Sequence, residues 1–232
     1  LHDIDAGDLS DWREARLIEV SGASVRREMA LLASVWEAAR LDWRWTNRNP
    51  LRDVRKPANS KPRKRVISDA EAEALTLAMG YSGGAPEGPS QRVAVAFLFA
   101  LETAMRAGEI AGIEAADIRG RWVHLPETKN GEPRDVPLSV AARGLLDLCP
   151  DGFGVSAAQI DSLFRRARAK ASKCMPEVAS IHFHDARRTA TTKLAKQLNV
   201  MELAKVTGHK DLKVLLNTYY SISPDDLAGK LG

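Results

Sequence analysis

A basic segment with two prolines divides this chain into two parts. Residues 52–65 read R-D-V-R-K-P-A-N-S-K-P-R-K-R and show no hydrophobic periodicity. Prolines and like charges keep a segment of this kind extended, so we expect a linker at 53–65. The rest of the 232-residue chain would then form two domains, 1–52 and 66–232, with ample residues for a hydrophobic core.

The first part of the chain has the apolar spacing of helices. Asp8 can cap one helix, and Ser21 or Ser24 can cap a longer one that follows. Trp43 and Trp45 come just after the longer helix, and we expect both to be anchored in a core. The first domain is therefore predicted to be helical.

The second part combines helices with one hairpin. Two short alternating segments, 121–125 and 134–138, flank Asn130-Gly131, which is a strong hairpin signal and places Lys129 at the tip. An apolar helix is expected at 91–105, ending at a break at Ala107-Gly108. Further helices are predicted from Ser68, near Glu109, and at 139–149, 156–173, 184–198, 200–207 and 211–219. The expected fold class is mainly α with a small antiparallel β-hairpin or sheet (α+β).

Composition favours an ordinary soluble protein, with 44% hydrophobic and 28% charged residues. No apolar run approaches the length of about 20 residues that spans a bilayer, and no secretory leader is visible, so no membrane partner is expected. Cys149 and Cys174 stand in unrelated contexts, which favours reduced thiols in the cytosol. Since Leu1 is not methionine, we interpret the chain as a fragment whose natural start lies upstream.

Positive charge is concentrated in two runs, although the formal net charge is only +4. Basic clusters of this kind are typical of phosphate binding, and a solvated surface is an equal alternative for either run alone. One run covers 165–173. The other supplies the candidate DNA-binding residues, which are Arg52, Arg55, Lys56, Lys61, Arg63, Lys64 and Arg65.

Six polar side chains have the chemistry to break a phosphodiester without a metal. Two guanidiniums can clamp phosphate oxygens, and two imidazoles can move protons near neutral pH. An ammonium can protonate a departing alkoxide, and a phenol can attack phosphorus to form a covalent intermediate. The candidate catalytic residues are Arg106, Lys129, His184, Arg187, His209 and Tyr219.

Each of these residues alone also has an ordinary structural interpretation. Arg106 could simply pair with Glu102 or Glu109, and His209 after Gly208 could be a turn residue. His184 and Arg187 are three apart at the start of a predicted helix, so they share one face. It is the joint occurrence of the six that indicates catalysis.

Metal binding is an alternative chemistry for part of the set. His182 and His184 form an H-x-H pair, and Cys174 lies upstream. No spacing in the chain resembles a structural zinc site, so we expect no metal and no cofactor. His182 is then predicted to be a strand or core residue.

In this order, the six residues resemble the active-site set of the tyrosine recombinase (phage integrase) family. The matching segments are T-A-M-R-A-G-E-I, H-D-A-R-R-T and T-G-H-K-D-L-K-V-L-L-N-T-Y-Y, and the similarity covers nearly the whole chain. The resemblance implies a helical core-binding (SAM-like) DNA-binding domain at 1–52, truncated at its N-terminus, and a catalytic domain at 66–232.

The resemblance also implies a role for each residue. Arg106 and Arg187 would clamp the scissile phosphate, and Lys129 would protonate the leaving 5′-oxygen. His184 and His209 would assist proton transfer and hold the phosphate.

Tyr219 would be the nucleophile, with Tyr220 as the alternative. The interval from His209 to Tyr219 is one residue longer than in many members of the family. The downstream run 223–227 nevertheless places Tyr219 where the family's tyrosine stands, and Ser221 occupies the place of a histidine found in many members.

The implied function is a site-specific DNA recombinase or integrase that forms a 3′-phosphotyrosyl intermediate and integrates or excises a phage or mobile element. Its partner would be double-stranded DNA at a recombination site, bound by a tetramer of a chain that is monomeric without DNA. Accessory DNA-bending and directionality proteins would be further partners. The resemblance implies a bacterial or phage-encoded protein, cytoplasmic and associated with the nucleoid. The alternatives are a catalytically silent DNA-binding relative and a type IB topoisomerase-like enzyme that acts without synapsis.

Overall fold

The chain forms two compact units in a computed structural model, Leu1–Lys64 and Arg65–Gly232. The structure describes residues 3–59, 63–126 and 131–220. Lys61, Lys129 and the run 223–227 therefore lie outside the described residues. Among the described helices, none is both long enough and apolar enough to cross a membrane.

The first unit is built on two helices, α1 (Ala6–Glu19) and α2 (Gly22–Leu41). The prediction that Asp8 caps α1 is wrong, because the Asp5 carboxylate accepts hydrogen bonds from the backbone of Gly7 and Asp8. Asp8 instead lies in the first turn and accepts a hydrogen bond from the Asp5 backbone, which completes a capping box. The predicted cap of α2 at Ser21 is confirmed.

The prediction that Trp43 and Trp45 anchor a core is wrong. They are 48% and 56% exposed, and their rings contact each other with centroids 4.6 Å apart. Helix α2 ends at Leu41, and Arg44 adopts a left-handed φ of 56°. Both tryptophans therefore lie in the turn that follows the helix. The core of the first unit comprises Leu9, Val25, Met29, Trp36, Leu51 and Val54.

Part of the predicted linker packs against the first unit. Val54 is buried in its core, and Arg13 donates a hydrogen bond of 2.6 Å to the Arg55 carbonyl. Arg26 donates a bond of 2.5 Å to the Pro57 carbonyl. No helix or strand forms at residues 54–57, and side chains of α1 and α2 hold the backbone of this segment.

The second unit is mainly helical with one small sheet. Its helices are α3 (Asp69–Ala78), α4 (Pro89–Thr103), α5 (Ala107–Ala111), α6 (Val140–Asp147), α7 (Ala157–Ala171), α8 (Phe183–Leu194), α9 (Val200–Thr207) and α10 (Leu212–Tyr219). Its antiparallel strands are β1 (Ile118–Arg119), β2 (Trp122–Leu125) and β3 (Arg134–Pro137), in that order across the sheet. The expected fold class is confirmed; β1, only two residues long, was not predicted.

Helix α4 forms the centre of the second unit and packs against α6, α7 and α8. Phe97 of α4, Phe164 of α7 and Phe183 of α8 make mutual ring contacts, with centroids 5.1 to 5.9 Å apart. Aromatic contacts of this kind are worth about 1 kcal/mol each beyond the area that they bury. They fix the start of α8, the helix that carries the candidate catalytic residues His184 and Arg187.

The break after α4 comes earlier than predicted. Ala104 has a left-handed φ of 56° and ends the helix, and Arg106 is the residue that caps α5. Ala107 and Gly108 lie inside α5, so the expected break at these two residues is wrong. The turn at 104–106 therefore places Arg106 beyond the end of the buried helix.

Candidate active site

Arg106 lies at the turn between α4 and α5 and is half-buried. Its Nη1 donates a hydrogen bond of 2.7 Å to Glu109 Oε1, and its backbone N–H donates one of 2.8 Å to Glu109 Oε2. Of the two acidic partners considered from the sequence, Glu109 is therefore the one used. Glu102 instead pairs with Lys193 at 2.7 Å.

Glu109 is a buried carboxylate, 7% exposed, that binds two arginines. Besides Arg106, it accepts two hydrogen bonds of 2.8 Å from Nη1 and Nη2 of Arg134, in a bidentate arrangement. Burial alone would raise the pKa of Glu109. The hydrogen bonds from Arg134 and Arg106 outweigh burial and lower this pKa to about 2, so Glu109 is ionised at neutral pH.

Arg187 is a buried arginine on α8, only 5% exposed. Its Nη1 donates a hydrogen bond of 2.7 Å to the Ala104 carbonyl, and its Nη2 donates one of 2.6 Å to the Thr207 carbonyl. Burial lowers the pKa of Arg187 to about 10, and the positive charges of Arg106 and Arg134 contribute. The guanidinium is still charged at neutral pH, and its carbonyl partners link α8 to the ends of α4 and α9.

His209 follows Gly208, which ends α9 in the left-handed conformation. Burial lowers the pKa of His209 to about 4, and repulsion from Arg187, Arg106 and Arg134 contributes. The imidazole is therefore neutral at neutral pH. Because three cations act on it, His209 belongs to the same cluster as the two predicted arginines.

Thr207 determines which nitrogen of His209 carries the proton. The Thr207 hydroxyl lies 2.6 Å from the Leu203 carbonyl and 2.6 Å from His209 Nδ1. A carbonyl oxygen can only accept, so the single hydroxyl proton goes to Leu203 and the hydroxyl oxygen accepts from Nδ1–H. This leaves Nε2 of the neutral ring unprotonated and able to accept a proton.

Tyr219 is the last residue of α10, and its half-buried ring lies beneath a cation. The guanidinium carbon of Arg188 is 5.4 Å from the ring centroid, within the range of a cation–π interaction. Tyr219 also lies within electrostatic range of Arg187, which connects it to the cluster. Tyr220 points elsewhere, because its hydroxyl donates a hydrogen bond to the Leu198 carbonyl.

The two histidines of the H-x-H pair lie at the start of α8. His184 is exposed and stands one turn before Arg187. The prediction that His182 is a strand or core residue is wrong: it is the exposed residue that precedes the helix, with its backbone N–H bonded to Asp185. Within the described part of the chain, no three His, Cys, Asp or Glu side chains are grouped as metal ligands.

The structure thus brings Arg106, Arg187 and His209 into one cluster, and Tyr219 lies against Arg188 in the field of Arg187. His184 lies on the helix that supplies Arg187. The position of Lys129 is outside the described residues, although β2 and β3 form the hairpin arms predicted for it.

Three residues of the cluster were not predicted from the sequence. Arg134 has a detectable signal, because in β3 it is in phase with the buried Val136 and so faces the protein. Arg188 and Thr207 give no such signal, since their roles depend on contacts with α10 and with the His209 ring.

The candidate DNA-binding residues differ in their surroundings. Arg55, Lys56, Arg63 and Lys64 are exposed. Arg52 is also exposed but pairs with Glu37 at 2.9 Å, and Arg65 is half-buried and pairs with Glu71. The linker cations are therefore not equivalent, and Arg65 has a structural partner.

Several known proteins are similar in sequence to this chain. Two of them are Haemophilus influenzae proteins named integrase/recombinase. The first is 39% identical, and its alignment covers 99% of this chain and 64% of that protein. The second is 34% identical, and its alignment covers 95% of this chain and 74% of that protein. The shufflon-specific DNA recombinase of Escherichia coli is 34% identical, covering 100% of this chain and 61% of that protein. The chain spans less than two thirds of the first and third relatives. No protein-family model matches it.

Solved integrase structures share the fold. The Tn1549 transposon integrase in complex with circular intermediate DNA has a TM-score of 0.76 at 18% identity, covering 100% of this chain and 86% of that one. A lambda integrase dimer bound to a COC' core site has a TM-score of 0.73 at 18% identity, covering 92% and 82%. A lambda integrase tetramer bound to a Holliday junction has a TM-score of 0.71 at 19% identity, covering 91% and 66%.

The sequence relatives and the shared fold agree on one assignment. The second Haemophilus protein is 34% identical over most of its own length, and the structural matches extend over nearly all of the chain. The chain belongs to the tyrosine recombinase (phage integrase) family.

Proposed function

We propose that this chain is the DNA-cleaving and rejoining part of a site-specific recombinase, with Tyr219 as its nucleophile. The observation that carries the proposal is the excess of positive charge in a partly buried cluster. Among the described residues, Arg106 and Arg134 share one carboxylate, that of Glu109, and Arg187 is bonded to two backbone carbonyls. Their mutual repulsion and burial are unfavourable until an anion arrives, and a phosphodiester supplies that anion.

The chemical step is a transfer of phosphorus between two oxygens. The Tyr219 phenol oxygen attacks the scissile phosphate and forms a 3′-phosphotyrosyl bond, while the bond from phosphorus to the 5′-oxygen breaks. Arg106 and Arg187 stabilise the negative charge that develops on the non-bridging oxygens. Electrostatic stabilisation of this type is worth about 3 to 4 kcal/mol for one donor in well-studied enzymes.

Two protons move in this step. The phenol loses one, and neutral His209 has an unprotonated Nε2 that accepts it once the bound phosphate offsets the cations that lower the pKa of His209. The departing 5′-oxygen gains the other, which we assign to Lys129 on the hairpin. His184, one turn from Arg187, assists by holding a phosphate oxygen. A 5′-hydroxyl from another duplex then reverses the step, and no ATP is consumed because the ester conserves the bond energy.

DNA contact is shared by both units in this proposal. The unit Leu1–Lys64 acts as the core-binding domain, and the unit Arg65–Gly232 is catalytic. The exposed cations Arg55 and Lys56, together with the rest of the basic segment, bind backbone phosphates of the DNA.

The partners follow from strand exchange. Exchange between two duplexes needs four active sites, so we propose a tetramer on DNA, which the lambda integrase tetramer bound to a Holliday junction supports. Without DNA we propose a monomer. Accessory DNA-bending and directionality proteins would select integration or excision. The bacterial sources of the named relatives support a bacterial or phage-encoded protein that acts in the cytoplasm, at the nucleoid.

The test is to trap the covalent intermediate. The protein is incubated with a library of nicked duplexes, so that the cleaved strand diffuses away and the adduct accumulates, and the DNA attached to protein is sequenced. We expect adducts at a defined sequence from the wild type. Their absence would refute catalysis and leave a DNA-binding relative. Adducts without recombinants between two duplexes would instead indicate a topoisomerase-like enzyme.

A further inference from the structure

Arg134 is the most completely bonded cation of the cluster, yet it lies outside the six residues that carry the proposed chemistry. Its side chain is 8% exposed and occupies the first position of β3, in phase with the buried Val136. Burying a guanidinium is costly unless its charge and its N–H groups are satisfied. The partners of Arg134 therefore indicate what this position does.

Its first partner is Glu109. Both Nη atoms of Arg134 donate to the Glu109 carboxylate, at 2.8 Å each, and the same carboxylate accepts the Arg106 side chain at 2.7 Å. Glu109 thus connects the two guanidiniums. Because both Nη groups of Arg134 bind this carboxylate, they are not directed as a fork toward a DNA phosphate, whereas Arg106 shares only one Nη with Glu109.

Its second contact is with the end of α9. The Nε of Arg134 donates a hydrogen bond of 3.1 Å to the Val206 carbonyl, in the last turn of the helix. A β-carbon added to Gly208 would lie only 3.1 Å from Nη1 of Arg134, so the guanidinium packs directly against the turn that precedes His209. Arg134 therefore contacts the structures that hold Arg106 and His209.

We propose that Arg134 is a positioning residue for strand cleavage, which holds Arg106 through Glu109 and His209 through the last turn of α9 without contacting DNA phosphate. This inference rests on the proposed function of the cluster. It also gives β3 a role in the site that does not depend on the hairpin tip. A bidentate, two-sided contact is something that lysine cannot reproduce, since its ammonium is a single point of charge.

The test separates binding from chemistry in the full chain. Arg134→Gln and Arg134→Lys are compared with Arg143→Gln, a control that removes a half-buried arginine bonded to Asp147 and to the Gly120 carbonyl, none of which belongs to the cluster. Duplex affinity is measured as a function of salt, and the rate of adduct formation is measured at saturating nicked DNA. We expect Arg134→Gln to slow adduct formation by about 100-fold, while affinity changes by less than about 3-fold and the salt slope is unchanged. Arg134→Lys should recover only part of the rate, and Arg143→Gln should behave as the wild type.

Two results would overturn the proposal: a wild-type cleavage rate in Arg134→Gln, or a salt slope lower by about one, which would make Arg134 a phosphate contact. A variant that failed to fold would lose adduct amplitude, and Arg134→Lys, which keeps the charge, then serves for the measurement. If the wild type forms no adduct, the proposed function fails by itself. The link from Arg134 to Glu109 is still tested by the unfolding stability of Arg134→Gln, Glu109→Gln and the double variant, where additive losses would contradict it.

Discussion

The hydroxyl of Tyr220 donates a hydrogen bond of 2.6 Å to the carbonyl oxygen of Leu198. Burial raises the pKa of Tyr220, and the negative charge of Glu202 adds to this effect. The adjacent Tyr219 instead lies under Arg188 and in the field of Arg187. Two neighbouring, half-buried phenols thus have different surroundings, since one donates to a backbone carbonyl and the other lies near two arginines.

We expect these surroundings to separate the two tyrosines by substitution. Tyr219→Phe should abolish covalent adduct formation on nicked DNA, because it removes the attacking oxygen, and should leave DNA affinity intact. Tyr220→Phe should keep the adduct and lose about 1 kcal/mol of stability with its hydrogen bond to Leu198. Gel analysis of adducts and chemical denaturation measure the two effects. An adduct formed by Tyr219→Phe and absent from Tyr220→Phe would reverse the assignment.

Arg187→Lys should be costly although it conserves charge. One ammonium cannot replace the paired donors that reach the Ala104 and Thr207 carbonyls, and an unsatisfied buried group costs about 1 to 3 kcal/mol. We expect the free energy of unfolding in urea to fall by that amount, and the cleavage rate to fall on the order of 100-fold to 1,000-fold. Lys193→Gln, on the same helix at an exposed ion pair, is the control and should change stability by less than about 1 kcal/mol. Equal effects of the two variants would contradict this account.

His209 should make the protein less stable in mild acid. Its pKa in the folded state is about 4, against an ordinary value of 6.5, so the unfolded chain takes up the proton first as the pH falls. Stability is therefore lost as the pH falls from about 6.5 to about 4, by about 2 kcal/mol at pH 5 relative to neutral pH.

The measurement is urea unfolding at pH 7.5 and pH 5 for the wild type and for His209→Gln. Glutamine does not titrate, so the variant should lose about 2 kcal/mol less between the two pH values. The other titrating groups are common to both proteins and cancel in the comparison. Identical pH dependence would show that the His209 pKa is not depressed.

Gly208→Ala should be more destabilising than Gly120→Ala. Both glycines have a left-handed φ, 69° and 62°, so both substitutions incur a backbone cost of about 1 kcal/mol. Only at Gly208 would the new carbon meet a neighbour, Arg134 Nη1 at 3.1 Å, while nothing lies within 4 Å at Gly120. We expect the Gly208 variant to show the larger loss in denaturation and a lower cleavage rate. Equal losses of stability would mean that Arg134 can move away from the new carbon at no energetic cost.

The linker cations should divide into those that bind DNA and those that bind protein. Arg55→Gln and Lys56→Gln, both at exposed positions, should each lower the slope of log affinity against log salt by about 0.9. Arg65→Gln should leave the slope unchanged and reduce stability, because the largely buried Glu71 loses its cationic partner and keeps only its hydrogen bonds from Ser68. Salt titrations of duplex binding and thermal unfolding test both parts. A slope that is unaffected by Arg55→Gln and Lys56→Gln would remove this segment from the DNA contacts.

Local signals were sufficient for much of the second unit. The boundaries of α9 follow from Asn199 as a side-chain cap and Gly208 in the left-handed conformation, and α10 begins after the cap Asp211. The hairpin arms were also predicted, because alternation and an Asn-Gly turn are encoded within a few neighbouring residues. Errors arose where competing local signals had similar strength, as with Asp5 and Asp8 at the start of α1.

By itself, the sequence determined the fold class and most helix limits, and it predicted six residues whose joint chemistry would suit phosphodiester cleavage. Tertiary structure decided which charges are buried and what they bind, because those partners are distant in the chain: Arg134 and Glu109 are 25 residues apart, and Arg187 and Ala104 are 83 apart. It also decided that Trp43 and Trp45 are exposed, since no local pattern states whether an aromatic ring finds a core. Burial and long-range pairing, which set the protonation of His209 and the surroundings of Tyr219, exist only once the chain is folded.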